Sequence, residues 1–282
     1  MSDGSKFQGL GLRVITALAL LGPVAAALWY GGWPFTLLIV IAGFAMALEW
    51  GTLLRARAGT GFILAGMLCV LLLVQRLDGN VLSLATLLAL IVMSAAGSLL
   101  ARQPISHLAG GLFYVGFPLW TAQWLRDSAD GFFLICFVFL SVWGTDILAM
   151  FAGKIIGGPK LAPRISPNKT WAGLIGGMGG AVIGGFLTLG LYVWLTDGEL
   201  PSLARLVVLG ALFAVIAQLG DLFESWLKRR YDIKDSGDII PGHGGVLDRV
   251  DGLVGVLIVL GFYMLYALHL AKSAPLAILW GL

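Results

Sequence analysis

The sequence predicts an all-α fold, a polytopic transmembrane helical bundle of about nine spans with a cytoplasmic N-terminus. Three observations lead there. Hydrophobic residues make up 59% of the 282 and charged residues only 12%, against roughly 25% charged in a soluble protein. Apolar runs of spanning length recur along the whole chain. The 18 Lys and Arg residues also fall unequally on alternate connecting loops.

A helix needs roughly 20 mostly apolar residues to cross the hydrocarbon layer. Nine segments meet that demand: 13–30, 34–50, 60–76, 81–100, 108–125, 131–153, 172–195, 203–227 and 251–270. Helix is the only open option for such runs, because a strand edge or loop in lipid leaves backbone groups unbonded. Lys6 and Arg13 stand ahead of the first apolar stretch and Ala25-Ala26-Ala27 offers small residues for cleavage, a pattern that imitates a signal peptide. The run is of spanning length and more spans follow, so it reads as an uncleaved first helix. Gly31-Gly32-Trp33-Pro34 leaves room only for a tight hairpin between the first two spans.

With the N-terminus on one face, nine spans put fourteen of the basic residues on that face and four on the other. The positive-inside rule makes the richer face cytoplasmic. Cys69 and Cys136 lie inside apolar runs and read as small buried hydrophobes. Gly176, Gly180 and Gly184 recur every four residues in the seventh span. This small-residue face lets helix backbones approach closely, and it fits packing, a lipid groove or a dimer contact. No linker or internal repeat breaks the chain. It is expected to be a single membrane-embedded domain over 1–282, with its catalytic region mainly in 146–251.

Polar residues gather in two clusters on the cytoplasmic side. The first is Asp146, then Lys154, Lys160 and the run Arg164 to Thr170, which contains Ser166 and Lys169. The second runs from Gln218 to Asp251. If the eighth span continues as a helix, Asp221, Ser225 and Lys228 share one face with Glu224 beside them. Asp248 and Asp251 share a face if the ninth helix begins there. Carboxylates at membrane depth are costly without a partner. Carboxylates arriving from two helix ends suit a divalent cation, and oxygen donors with phosphate and water suit Mg²⁺. Lys and Arg bind phosphate oxygens. Pro241-Gly242-His243-Gly244-Gly245 permits close backbone approach to a bulky anion. The acids in the loops, Asp127, Asp130, Asp197, Glu199, Asp232, Asp235 and Asp238, read as solvated; His107 and His269 read as interfacial or packing residues.

The 27 residues from Ser225 to Asp251 carry a dense pattern: Ser225, Lys228-Arg229, Lys234-Asp235, Gly237, Ile240-Pro241, His243-Gly244-Gly245, Asp248-Arg249 and Asp251. This run resembles the signature of the CDP-diacylglycerol synthase (phosphatidate cytidylyltransferase) family and fills its fixed positions. The lead-in from Gln218 through Asp221 and Glu224 is similar as well. So is Asp146 followed by Arg164-Ile165-Ser166-Pro167-Asn168-Lys169-Thr170. There is one departure, Ala172-Gly173 where the family usually has Glu-Gly.

The resemblance implies a nucleotidyltransferase of phospholipid biosynthesis. CTP and phosphatidic acid would give CDP-diacylglycerol and pyrophosphate, with Mg²⁺ or Mn²⁺ and one or two metal ions. Asp221 and Asp248 are the expected metal ligands, with Asp146 and Asp251 as further candidates. Lys228, Arg229 and Arg249 would neutralise phosphates and the leaving pyrophosphate. Asp221, Asp248, Lys228 and Arg249 are thus the expected catalytic set. Ser166, Lys169, Thr170, Ser225, Lys234, His243, Gly244 and Gly245 complete the expected substrate contacts. The implied setting is the bacterial cytoplasmic membrane, with a homodimer as the family's assembly and no nucleic-acid partner. The rival readings are a related CTP-dependent lipid kinase, an inactive homologue, and an ion or solute transporter. A transporter would favour midplane ionisable groups and paired repeats, which this sequence does not display.

Overall fold

The computed structural model describes residue 19 and residues 21–57, 59–78, 84–196, 202–240 and 244–271, most of them helical. In chain order the helices are α1 (Leu21–Tyr30), α2 (Gly32–Leu53), α3 (Thr60–Asp78), α4 (Leu84–Ala101), α5 (Ile105–Gly111) and α6 (Phe117–Asp127). They continue as α7 (Gly131–Ile155), α8 (Trp171–Leu195), α9 (Leu203–Arg230) and α10 (Leu247–Ala271). Six of them, α2, α3, α7, α8, α9 and α10, are long and apolar enough among the described residues to cross a membrane. The chain is therefore a multi-pass, all-α membrane protein. Two compact units emerge from its packing: Met1–Trp124 with Arg230–Val250, and Leu125–Arg229 with Asp251–Leu282.

The first unit is built on α2 and α3. Gly31 breaks the helical run between α1 and α2 at φ 61° and ψ −151°, a region open to glycine and costly for a side chain. Pro34 follows in the first turn of α2, where its missing N–H costs no helical bond. The expected hairpin over 31–34 is thus a single-residue break. α3 and α6 exchange side-chain amides: Gln75 Nε2 donates to the Trp120 carbonyl at 3.1 Å, and Gln123 Nε2 donates to the Leu72 carbonyl at 3.0 Å. Both glutamines are buried, so each also satisfies a polar group that lipid would leave costly. Between α5 and α6 the backbone widens into a π turn over Leu112–Gly116. Trp50 fixes that region by donating to the His107 carbonyl at 2.9 Å and stacking on Tyr114 at 5.4 Å.

The second unit centres on the α7–α8 pair, and the glycine face of α8 is the reason. A methyl on Gly180 or Gly184 would collide with the carbonyl of Gly144 or Leu140, and one on Gly177 would press on Thr145 at 3.0 Å. The Gly176, Gly180 and Gly184 stripe is therefore filled by α7. α9 approaches α10 at a second glycine contact, where a Cβ on Gly220 would lie 2.7 Å from the Asp251 carbonyl.

Two features differ from the sequence expectation. Residues between α7 and α8 form an antiparallel hairpin, β1 (Lys160–Ala162) with β2 (Ser166–Thr170), pairing Lys160 with Thr170 and Ala162 with Ser166. Pro159, Pro163 and Pro167 keep this stretch out of helix. And α10 begins at Leu247 rather than near 251, for a reason found in the loop before it.

Candidate active site

In the first unit, the signature loop is organised around two carboxylates. Glu49, near the end of α2, is only 2% exposed. Its Oε1 accepts from the Val246 N–H at 2.7 Å, and its Oε2 accepts from the Leu247 N–H at 2.8 Å and from Ser236 Oγ at 3.3 Å. The first N–H groups of a helix have no partner within it. Glu49 supplies one from a distant helix, which is why α10 starts at Leu247. A negative charge there also faces the positive end of the helix dipole.

Asp248 lies one residue into α10. Its carboxylate accepts from the Ser236 N–H at 3.0 Å and from the Gly245 N–H at 3.2 Å, both to Oδ2. Gly245 fits between the two acids: a Cβ there would sit 3.0 Å from Asp248 Oδ2, 3.0 Å from Glu49 Oε2 and in collision with Ser236 Oγ. Gly244 adopts φ +86° and pairs with Ile240 through two backbone bonds of 2.9 and 3.1 Å. Arg249 and Lys234 are exposed. His243 lies outside the described residues.

In the second unit, α9 keeps its helical course to Arg230. Its 28 residues span ~42 Å at ~1.5 Å each, longer than a ~30 Å hydrocarbon layer. Its last turns carry Asp221, Glu224, Ser225, Lys228 and Arg229. Lys169 of β2 lies with Nζ 2.6 Å from Asp221 Oδ2, and Ser225 Oγ donates to Asp221 Oδ1 at 3.2 Å. Asp146 on α7 lies within electrostatic reach of both Asp221 and Lys169. Four expected site residues, Asp146, Lys169, Asp221 and Ser225, are thus gathered by the hairpin and two helices.

The remaining residues are placed differently. Lys228 Nζ is 3.1 Å from Glu224 Oε2, and the Glu224 side chain is fully buried. Thr170 is the N-cap of α8, its Oγ1 accepting from the Gly173 N–H at 3.0 Å. Ser166 lies near the turn of the hairpin, opposite Ala162. Arg229 is exposed on α9. Asp251 accepts from the Gly252 N–H at 2.8 Å. Asp221 and Glu224 both lie within electrostatic reach of Asp251, which concentrates acidic groups in this corner of the unit. Among the described residues no group of three or more His, Cys, Asp or Glu side chains is arranged to hold a metal. Mg²⁺ does not require one, since it is commonly held by one or two carboxylates with water and substrate phosphate.

Glu49 is the residue that the sequence reading passed over. It is the one charged side chain in α2, and an acid inside a span is a functional candidate by default.

The cytidylyltransferase family model matches residues 11–268, and the chain belongs to that family. Among its relatives is the phosphatidate cytidylyltransferase of Brucella suis biovar 1, 42% identical across 96% of this chain and 98% of that protein. The phosphatidate cytidylyltransferase of Brucella abortus biovar 1 is 44% identical over 88% of this chain and 90% of its own length. That of Rickettsia bellii is 38% identical over 58% of this chain and 74% of its own.

Proposed function

We propose that this protein is a phosphatidate cytidylyltransferase, carrying the cytidylyl group of CTP onto phosphatidic acid. The observation that carries the reading is the Ser225–Asp251 signature, intact in a chain that matches proteins of that name along nearly its whole length. An oxygen of the lipid phosphate attacks the α-phosphorus of CTP. A new P–O bond forms, the bond to the bridging oxygen of the β-phosphate breaks, and pyrophosphate leaves. The lipid phosphate is already an anion at neutral pH, so no general base is needed. The obstacle is repulsion between two anions, and catalysis rests on positioning and electrostatic stabilisation.

The residues divide the work accordingly. Lys169, held beside Asp221, presents an ammonium group to a phosphate, and Ser225 steadies the Asp221 carboxylate. Lys228, Arg229, Arg249 and Lys234 supply positive charge for the triphosphate and departing pyrophosphate. Ser166, Thr170 and His243 contribute polar contacts, and Gly244 and Gly245 let the backbone approach. Asp221 and Asp248 would hold Mg²⁺, with Asp146 and Asp251 as further donors, and Mn²⁺ as a substitute. A bound divalent ion would neutralise phosphate charge and align the triphosphate. An all-oxygen donor set supports that choice of metal. A groove in the second unit is lined by Val208, Leu212 and Ile216 of α9 and by Val259 and Tyr263 of α10; its apolar walls suit an acyl chain.

The proposed setting is the bacterial cytoplasmic membrane, with nine spans, a cytoplasmic N-terminus, one membrane domain and a homodimeric assembly. The basic-residue bias supports the orientation, and cytosolic CTP meets the lipid head group on that face. The test is pyrophosphate release by the detergent-purified protein with CTP, phosphatidic acid and Mg²⁺. Release that requires all three establishes the reading. Folded protein that releases none with several phosphatidate species, yet phosphorylates another lipid alcohol from CTP, would replace it with the lipid-kinase alternative.

A further inference from the structure

Glu49 has no part in the signature and is 187 residues from Ser236 and 197 from Val246. Yet it makes three hydrogen bonds to the signature loop, all from one buried carboxylate. Two go to the consecutive N–H groups that open α10, and the third goes to Ser236. Ser236 is also the residue whose N–H binds Asp248. The Glu49 carboxylate and the Asp248 carboxylate are therefore joined through one residue, and Gly245 is packed against both.

The chemistry of this arrangement is specific. A carboxylate is an acceptor at both oxygens, and here both oxygens receive N–H groups. Glutamine has the same shape but replaces one acceptor with a donor, which would face an N–H. Aspartate keeps two acceptors on a shorter stem. Gly237 meets the same side chain: a Cβ there would come within 2.9 Å of Glu49 Cγ. The loop has thus been shaped around this acid on both sides, by a glycine at 237 and a glycine at 245.

We propose that Glu49 is a positioning residue of the transfer reaction. It fixes Ser236 and the start of α10 at Val246 and Leu247 in the one arrangement in which the Asp248 carboxylate is aimed and held. It touches no substrate and acts through Ser236, Val246 and Leu247. This inference rests on the cytidylyltransferase reading for its kinetic half only; its structural half is tested without turnover.

The experiment compares the full-length protein with Glu49→Gln, Glu49→Asp and Ser236→Ala variants, in detergent, by hydrogen–deuterium exchange and by steady-state pyrophosphate release. In Glu49→Gln, amide protection should fall in the segment 236–249 and be kept in α7 and α8. The kcat should fall roughly 10- to 100-fold, as for loss of a residue that orients a site ligand, with KM for CTP and for lipid changed by less than about threefold. Glu49→Asp should restore part of both readouts. Ser236→Ala, which removes one bond and adds no clash, should lower kcat by a smaller factor and loosen the same segment. If Glu49→Gln fails to fold, Ser236→Ala decides, and an unchanged kcat there overturns the proposal. Unchanged protection at 236–249, protection lost evenly across the protein, or a KM rise with kcat intact would each overturn it too. Inactive wild-type protein would count against the cytidylyltransferase reading instead, leaving the exchange result to judge Glu49.

Discussion

Lys169 and Asp221 form a 2.6 Å ion pair between the β2 strand and the C-terminal part of α9. The pair also receives Ser225 on its other carboxylate oxygen. It is partly exposed, so screening keeps its direct worth small. Its importance is that it holds a cation and an anion of the candidate site in fixed relation.

Replacing Lys169 by Met should therefore affect catalysis more than stability. Activity is expected to drop roughly 100-fold or more, as for removal of one donor that stabilises developing charge. Melting should shift little. A double-mutant cycle with Asp221→Asn should show coupling of about 0.2–1 kcal/mol in stability. Coupling well above that range would mean that the pair is a main support of the fold.

Asp248→Asn keeps the size of the side chain but turns one oxygen into a donor facing the Ser236 and Gly245 amides. Pyrophosphate release should fall by roughly 100-fold or more, while the protein remains folded and extractable. Near-normal turnover would remove Asp248 from the proposed metal site.

The α7–α8 contact predicts a contrast between neighbouring glycines. Gly180→Ala would push a methyl into the Gly144 carbonyl, and neither backbone can yield without separating the helices. A loss of about 1–3 kcal/mol is expected, read as a lowered melting temperature. Gly179→Ala meets nothing within 4 Å. It should be neutral or stabilising by up to about 1 kcal/mol, since alanine is the better helix former.

Ala172 occupies the first turn of α8, just after the Thr170 cap, and that turn has no acidic residue. Ala172→Glu should stabilise the helix by about 0.3–1 kcal/mol through its dipole. The change restores the residue common in the family, so activity should hold or rise. A fall in pyrophosphate release would show that this chain has adapted its site around the smaller side chain.

The long apolar helices were legible because the length of a spanning run and the cost of an unbonded backbone leave few options. Asp146, Lys169 and Asp221 were legible because acids and bases beside apolar spans are rare, and Ser225 because helical spacing puts it on the Asp221 face. The hairpin at 160–170 was not, since strands of three and five residues broken by prolines show no alternating pattern. Nor was the start of α10, because its capping group comes from α2. Glu49 itself carried a signal, a lone acid in an apolar run, but its partners lie too far along the chain for any local pattern to reveal them. The glycine stripe showed that a close contact exists, while the choice of α7 as its partner depended on Gly144 and on the spacing of neighbouring carbonyls.

The Glu49 cap also sets a problem of timing during synthesis. Glu49 leaves the ribosome 197 residues ahead of Val246. At ~5–20 residues per second the wait is on the order of 10–40 s. Throughout that interval α2 carries an acid whose eventual hydrogen-bond donors do not yet exist. The nascent helix must keep that end in water or near the insertion machinery until the last segment arrives. Emergence of Val246 and Leu247 is then the event that allows the acid to be buried, so a ribosome stalled before residue 246 leaves α2 unfinished as well as α10.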